Sequence, residues 1–504
     1  MANLKRRRGL RLFYFSMDID IVFPYFFASS THKKLFLKED SMSKYDSYAS
    51  WGFTHNPFLV TALQADDQGK RLLVGRDDEV MDIAKKLHKQ GKITCLDGHV
   101  GVGKTSLVNV AAYTCFQDFM KGETEQLLVP CIETFDLRKG ESTEEFAQRV
   151  FRKVAQTLID RSEEIRGMSL DMEGMDSLDA WLNNPIFDSV STGLKWFVEI
   201  SSTKGLNNSH GYQNEGFEKT VRNWLKEIFY QRGSGGVVCV IDNIELLETA
   251  SNARKNIEAL RDRLFNVEGL RWVFCGANGV IHSLAASPRL SAFLNTPVVD
   301  VANIHPQYLE PLIDARIFEF APHQDEAYLP INIEDMKWLY LILNHNLRDL
   351  LGLCDEYCEN EFSLGKNNHT KEQRKSRFDK WLFKATTDRY NQLSSRLPKS
   401  SWAIIDAAMT NDFKGTFGVN DIDALIAASR ESVSNEGFKK GLRELERHGL
   451  VTRLINGDDE SGSDEFKRDV CTVTSKGALV HYARFLKHET TSIADTAWLK
   501  RVHY

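Results

Sequence analysis

KITCLDGHVGVGKTSLVNVAAYTCF, residues 92–116, decides the fold. KITCLD (92–97) is apolar enough for a buried strand, three glycines follow within six residues, and from Lys104 the apolar positions recur at helical spacing. The middle of the stretch, GHVGVGKTS (98–106), has the spacing GxxxxGK[ST]. A strand that turns through glycines into a helix aims its backbone N–H groups at one point, where phosphate oxygens are held. The predicted cradle is Gly98, Val100, Gly101, Val102, Gly103, Lys104, Thr105 and Ser106. Lys104 would reach the β- and γ-phosphates of ATP or ADP, and the Thr105 hydroxyl would hold Mg²⁺.

Outward from that stretch, RLLVGRDDEVMDIAKKLHKQ (71–90) reads as a short strand, a turn at Gly75 and Arg76, and an amphipathic helix. LLVPCIETFDL (127–137) reads as a strand, and STEEFAQRVFRKVAQTLI (142–159) as a capped helix. GGVVCVIDNIELLE (235–248), GLRWVFCGAN (269–278) and VVDVANI (298–304) each contain a further strand. Strands alternating with helices predict a parallel α/β sheet. Residues 160–234 interrupt the rhythm with polar runs and one helix, GFEKTVRNWLKEIFYQ, and read as an insertion. From about 306 the pattern is helical. Asp242, at the end of an apolar strand, is the predicted second Mg²⁺ ligand beside Thr105.

Composition excludes several classes. The chain has 504 residues, 27% of them charged and 42% hydrophobic, which is a globular composition of roughly three domains. A net charge of −6 leaves any nucleic-acid contact to a local basic patch. Eight cysteines without a CxxC pair predict buried thiols in a reducing, cytoplasmic setting; Cys354 and Cys358 read as core. Asp18, Asp20 and Pro24 break the apolar run near the N-terminus, so no membrane span is expected. Residues 1–41 read as a disordered or non-native extension ahead of Met42.

At these motifs the chain resembles the AAA+ ATPases, in their origin-recognition and initiator-like branch, over about residues 56–360. The resemblance implies ATP binding and hydrolysis, self-assembly into a homo-oligomer, and the fold class of a P-loop α/β core followed by a helical lid. It places LLVGRDDEV, with Gly75 and Arg76, near the adenine. Asn278 matches the sensor that feels the γ-phosphate and water, and Arg348 in NLRDLL (346–351) matches the lid arginine that touches phosphates. Arg289 falls where an arginine finger reaches a neighbour's nucleotide; Arg316 is its rival. The sequence departs from the family at Asn243, where a glutamate base is usual. An amide positions water but takes no proton. Either Glu245 is the base with Asn243 beside it, or hydrolysis is slow. The Asp242–Glu245 spacing also resembles signalling NTPases of the NACHT and STAND class, as in antiphage defence ATPases. That keeps open a switch that recruits an effector protein.

SWAIIDAAMTNDFKG…RELERHGLVTRLI, residues 401–455, resembles a winged helix-turn-helix, with helices near 401, over 419–429 and from 434 to 449. VTRLI and VCTVTSKGAL would be the two wing strands, with residues 474–477 closing the wing. Lys439, Lys440, Arg443 and Arg447 on the third helix would meet DNA. The acids Asp458, Asp459, Glu460, Asp464 and Glu465 would keep the wing tip clear. The expected organisation is therefore a P-loop ATPase domain at 42–305, a helical lid at 306–395, a winged helix at 396–485 and a tail at 486–504.

Overall fold

The computed structural model describes residues 46–166, 210–230, 235–246, 250–277, 279–285, 287–364, 369–410, 413–418, 421–428, 433–454 and 470–487. The N-terminal extension, most of the insertion, Asn278, the wing-tip acids and the tail beyond 487 lie outside the described residues. Among those described, no helix is long and apolar enough to cross a membrane.

Six parallel strands form the central sheet: β1 (Thr94–Asp97), β2 (Leu128–Pro130), β3 (Phe135–Asp136), β4 (Gly236–Asp242), β5 (Leu270–Gly276) and β6 (Val299–Asp300). The order is β2-β4-β5-β1-β6, with β3 also on β4. β4 and β5 are nearly continuous apolar runs because both of their faces are covered. Alternation along the strands divides their side chains between two cores. Cys95, Cys239, Ile241, Trp272 and Phe274 face one. Leu96, Val238, Val240, Val273 and Cys275 face the other, against the helix Lys104–Met120. The predicted strand at 127–137 is two short strands. The helix at 142–159 is Thr143–Asp160, with Ser142 and Glu145 closing a capping box.

One predicted strand is absent. Residues 71–72 end a short helix, Asp67–Leu72, because Asp66 accepts from the Gly69 N–H and caps it. That local cap outweighs the strand preference of Leu72, Leu73 and Val74.

Helices Leu309–Phe320, Ile333–Ile342 and Leu347–Ser363 form the lid, and Tyr48, Trp51, Phe53 and Phe58 from the start of the described chain pack into its core. Cys354 and Cys358 are buried there, and no His/Cys/Asp/Glu cluster suited to a metal occurs among the described residues. Beyond the long helix Lys371–Ser394 comes a small unit. Its elements are helix Lys399–Ala408, β7 (Thr416–Gly418), helices Ile422–Ala428 and Asn435–Arg447, then β8 (Val451–Leu454) and β9 (Val470–Val473). Its antiparallel sheet runs β7-β9-β8. Residues 475–477 do not extend a wing strand. They open a helix, Ser475–Lys487, whose first turn Thr474 caps by accepting from the Gly477 N–H. Ala478, Leu479, Val480 and Phe485 bury this helix between the lid core and the small unit.

Candidate functional site

β1 delivers the glycine loop to the carboxyl edge of the sheet, where ligands of open parallel sheets bind. Gly101 and Gly103 take φ of +87° and +95°, a region open to glycine without a Cβ penalty. The loop from Val100 to Ser106, with Arg76, Asp242, Asn243, Glu245 and Arg348, lines one open cleft. The Lys104 ammonium donates to the carbonyls of Gly98 (2.8 Å) and His99 (3.0 Å). The Thr105 hydroxyl donates to the Asp242 carboxylate, from a residue 137 positions away. That contact brings together two hard oxygen donors at the lip of the phosphate cradle, which is the donor chemistry Mg²⁺ takes beside phosphate oxygens.

Gly98 of the predicted cradle and Gly75 of the turn predicted near the adenine are not among the residues that line the cleft. A Cβ at Gly98 would lie 2.5 Å from the Val301 carbonyl oxygen, so this glycine lets the loop pass the end of β6. A Cβ at Gly75 would lie 2.4 Å from the Tyr308 ring. Gly75 therefore packs closely against the Tyr308 ring. Arg76 is buried, with its guanidinium donating to the Glu79 carboxylate (2.6 Å) and the Ala302 carbonyl (2.7 Å). It braces the cradle from beneath.

Asn243 has φ +54°, and its N–H donates to the Asp242 carboxylate at 2.8 Å. Asparagine is one of the few side chains that tolerate this left-handed conformation, so the backbone supplies a reason for the amide that the sequence did not show. Glu245 lines the cleft, and its carboxylate accepts from the Ala277 N–H at 3.0 Å. Burial pushes its carboxyl above the usual range, against the pull of backbone donors and Lys104. Asp97, which sequence reasoning passed over, is a second buried carboxylate at this edge. It accepts from the Ile281 N–H at 3.3 Å, and burial likewise raises its carboxyl. Glu245 and Asp97 thus hold the backbone on both sides of position 278. The clue to Asp97 was an acid closing a buried strand, the same pattern that marked Asp242.

The apolar end of the cleft is built by a segment that carried no motif. Leu59 to Leu63 run along it, with Leu72, Ile304, Leu312 and Leu351 opposite. The Leu63 N–H donates to the Ser106 hydroxyl (3.0 Å), and the Asn109 amide donates to the Leu63 carbonyl (2.8 Å). Arg316 is buried and donates to the carbonyls of Pro57 (2.8 Å) and Leu59 (3.2 Å); burial pushes its guanidinium down to about 10. It supports that segment and is not exposed to reach a neighbour. Arg289 lies away from the cleft, with its side chain 74% exposed and 3.2 Å from the Glu258 carboxylate. Arg348 stands in the first turn of Leu347–Ser363, and a Cβ at Gly101 would lie 3.0 Å from its own Cβ.

On the helix Asn435–Arg447, Phe438, Gly441, Leu442 and Leu445 are buried. Lys439, Lys440, Arg443 and Arg447 are exposed on its other side.

No family model matches the chain, and no curated protein matches it. Several solved structures are similar to it over most of their length. The ORC1 protein of Aeropyrum pernix, solved in complex with DNA, is 14% identical over 85% of this chain and 94% of its own, with a TM-score of 0.39. The ORC2 protein of the same organism, solved with ADPNP and ADP, is 9% identical over 87% of this chain and 100% of its own, with a TM-score of 0.42. A Walker-type ATPase of Pyrococcus abyssi is 12% identical over 84% of this chain and 99% of its own, with a TM-score of 0.39.

Proposed function

We propose that this chain binds ATP with Mg²⁺ in the cleft between sheet and lid, hydrolyses it, and uses its nucleotide state to control self-assembly and engagement of DNA or a partner protein. The observation that carries the first step is the meeting of Thr105 and Asp242 at the mouth of the glycine cradle. The cradle's N–H groups and the Lys104 ammonium bind the phosphates, and Arg348 approaches them from the lid. Thr105 and Asp242 would hold Mg²⁺, which offsets charge on the phosphate oxygens when bound. The apolar end beside Leu59–Leu63 takes the base.

For hydrolysis, Glu245 and Asn278 place the attacking water. The Ala277 N–H fixes the Glu245 carboxylate, whose elevated proton affinity suits it to take the water's proton. Arg289, being exposed, is available to a second copy of the chain. The basic face of Asn435–Arg447 supports contact with DNA phosphates.

The test is equilibrium binding of a fluorescent ATP analogue. Lys104→Ala abolishes binding, and Asp242→Asn removes its dependence on Mg²⁺. Wild-type binding by Lys104→Ala would sink the proposal.

A further inference from the structure

The turn between the lid helices Ile333–Ile342 and Leu347–Ser363 is held in an unusual backbone. Asn344 and His345 are consecutive non-glycine residues with φ of +51° and +61°. Such residues cost free energy and persist where surrounding contacts hold them. The contacts here run in two directions.

Toward the cleft, the Asn346 amide donates to the Val100 carbonyl at 3.0 Å, inside the phosphate loop. The oxygen of the same side chain accepts from the Asp349 N–H at 3.1 Å and so caps the helix that carries Arg348. The approach is close: a Cβ at Gly101 would lie 2.8 Å from the Asn346 side-chain oxygen. Toward the C-terminal unit, the Asn344 amide donates to the Val473 carbonyl at 3.2 Å, at the end of β9. The Asp349 carboxylate accepts from the Ser475 hydroxyl, in the first turn of the C-terminal helix. β9 is the middle strand of the sheet into which the basic helix Asn435–Arg447 feeds through β8.

We propose that Asn344–Asp349 is a latch. Asn346 is a positioning residue for the phosphate loop, and its grip on Val100 is set by what the same turn holds in the C-terminal unit. Nucleotide retention and the placement of the C-terminal unit are then two readouts of one turn, and each affects the other by the same factor. This rests on the nucleotide reading of the cleft.

The substitutions separate the parts. Asn346→Ser keeps a helix cap and adds no charge, but is too short to reach Val100. Ser475→Ala cuts the tie to Asp349 at a residue outside the cleft lining; Thr474, not Ser475, caps that helix. Asn344→Gly suits the left-handed backbone and removes the amide from Val473, so it cuts the same link independently.

The experiment is the dissociation rate of a fluorescent ATP analogue from the full chain, by stopped flow, alongside nucleotide-free melting. Asn346→Ser speeds release about threefold to tenfold, the scale of one net hydrogen bond, and keeps a single cooperative nucleotide-free melting transition. Ser475→Ala and Asn344→Gly speed release by smaller factors. The double variant Asn346→Ser/Ser475→Ala releases no faster than Asn346→Ser alone, because both act through one contact. Wild-type release from both Ser475→Ala and Asn344→Gly, or multiplied effects in the double variant, overturns the latch. Loss of binding in Lys104→Ala with unchanged release in all latch variants removes the latch and leaves the nucleotide site standing. Retained binding in Lys104→Ala removes the site itself.

Discussion

Glu245 and Asn243 show how far single residues can be read. The sequence placed a carboxylate three positions after Asp242 and an amide between them, which left the base unassigned. In the fold, Asn243 answers to a left-handed backbone, while Glu245 is fixed on Ala277 inside the cleft. Glu245→Gln is expected to retain ATP affinity and lose turnover by about 10²–10⁴-fold, read by phosphate release under saturating nucleotide. Unchanged turnover would exclude Glu245 as the base. Asp97→Asn should lower turnover with less effect on binding, because it loosens only the chain around position 278. A selective loss of binding would instead place Asp97 with the phosphates.

At the scale of elements, the glycines of the loop differ in what demands them. Gly101 combines φ +87° with the lid turn pressed against it. Gly101→Ala should therefore weaken nucleotide binding by at least about tenfold, from roughly 1–2 kcal/mol of backbone strain plus the clash with Asn346. Isothermal titration against wild type decides it, and equal affinity would mean the loop adapts. The capping box of Thr143–Asp160 was legible from Ser142 and Glu145 because its signal is local. Ser142→Ala should lower stability by about 1 kcal/mol in urea unfolding, without changing nucleotide affinity. Where local signals competed, as at Leu72–Val74, period and propensity misled, since the Asp66 cap acts from outside the apolar run.

Across the whole molecule, the C-terminal helix is fastened by charge as well as apolar contact. Asp406 on Lys399–Ala408 accepts from Arg484 (3.0 Å) and lies 3.0 Å from the His481 ring. Burial works against its charge, but His481 and Arg484 prevail and hold its carboxyl below the ordinary range. A depressed folded value contributes stability above the unfolded value of about 3.9 and loses it as pH falls through the folded one. Asp406→Asn should thus lower the melting temperature at neutral pH, and the difference from wild type should shrink on acidification below about pH 4. A pH-independent difference would assign the loss to packing. For the DNA proposal, changing Lys439, Lys440 and Arg443 to Ala should weaken duplex binding and flatten its salt dependence by about 0.9 for each phosphate no longer neutralised. Unaltered affinity would make this unit a protein-docking module.

The sequence by itself determined the glycine loop after β1, the strand that ends at Asp242, the parallel α/β class and most helices, because each is written within one strand or turn as spacing, caps and apolar period. Only the tertiary structure decided which distant residues share the cleft. Leu59–Leu63 carry no motif and reach the apolar end of the cleft through hydrogen bonds to Ser106 and Asn109. Asp97 acquires its place from the chain after β5, and Gly75 is packed against the Tyr308 ring. Asn346 becomes a phosphate-loop contact because the lid folds back across 246 residues of chain. Contacts of that kind depend on chain path and close approach, and neither has a period that a single sequence displays.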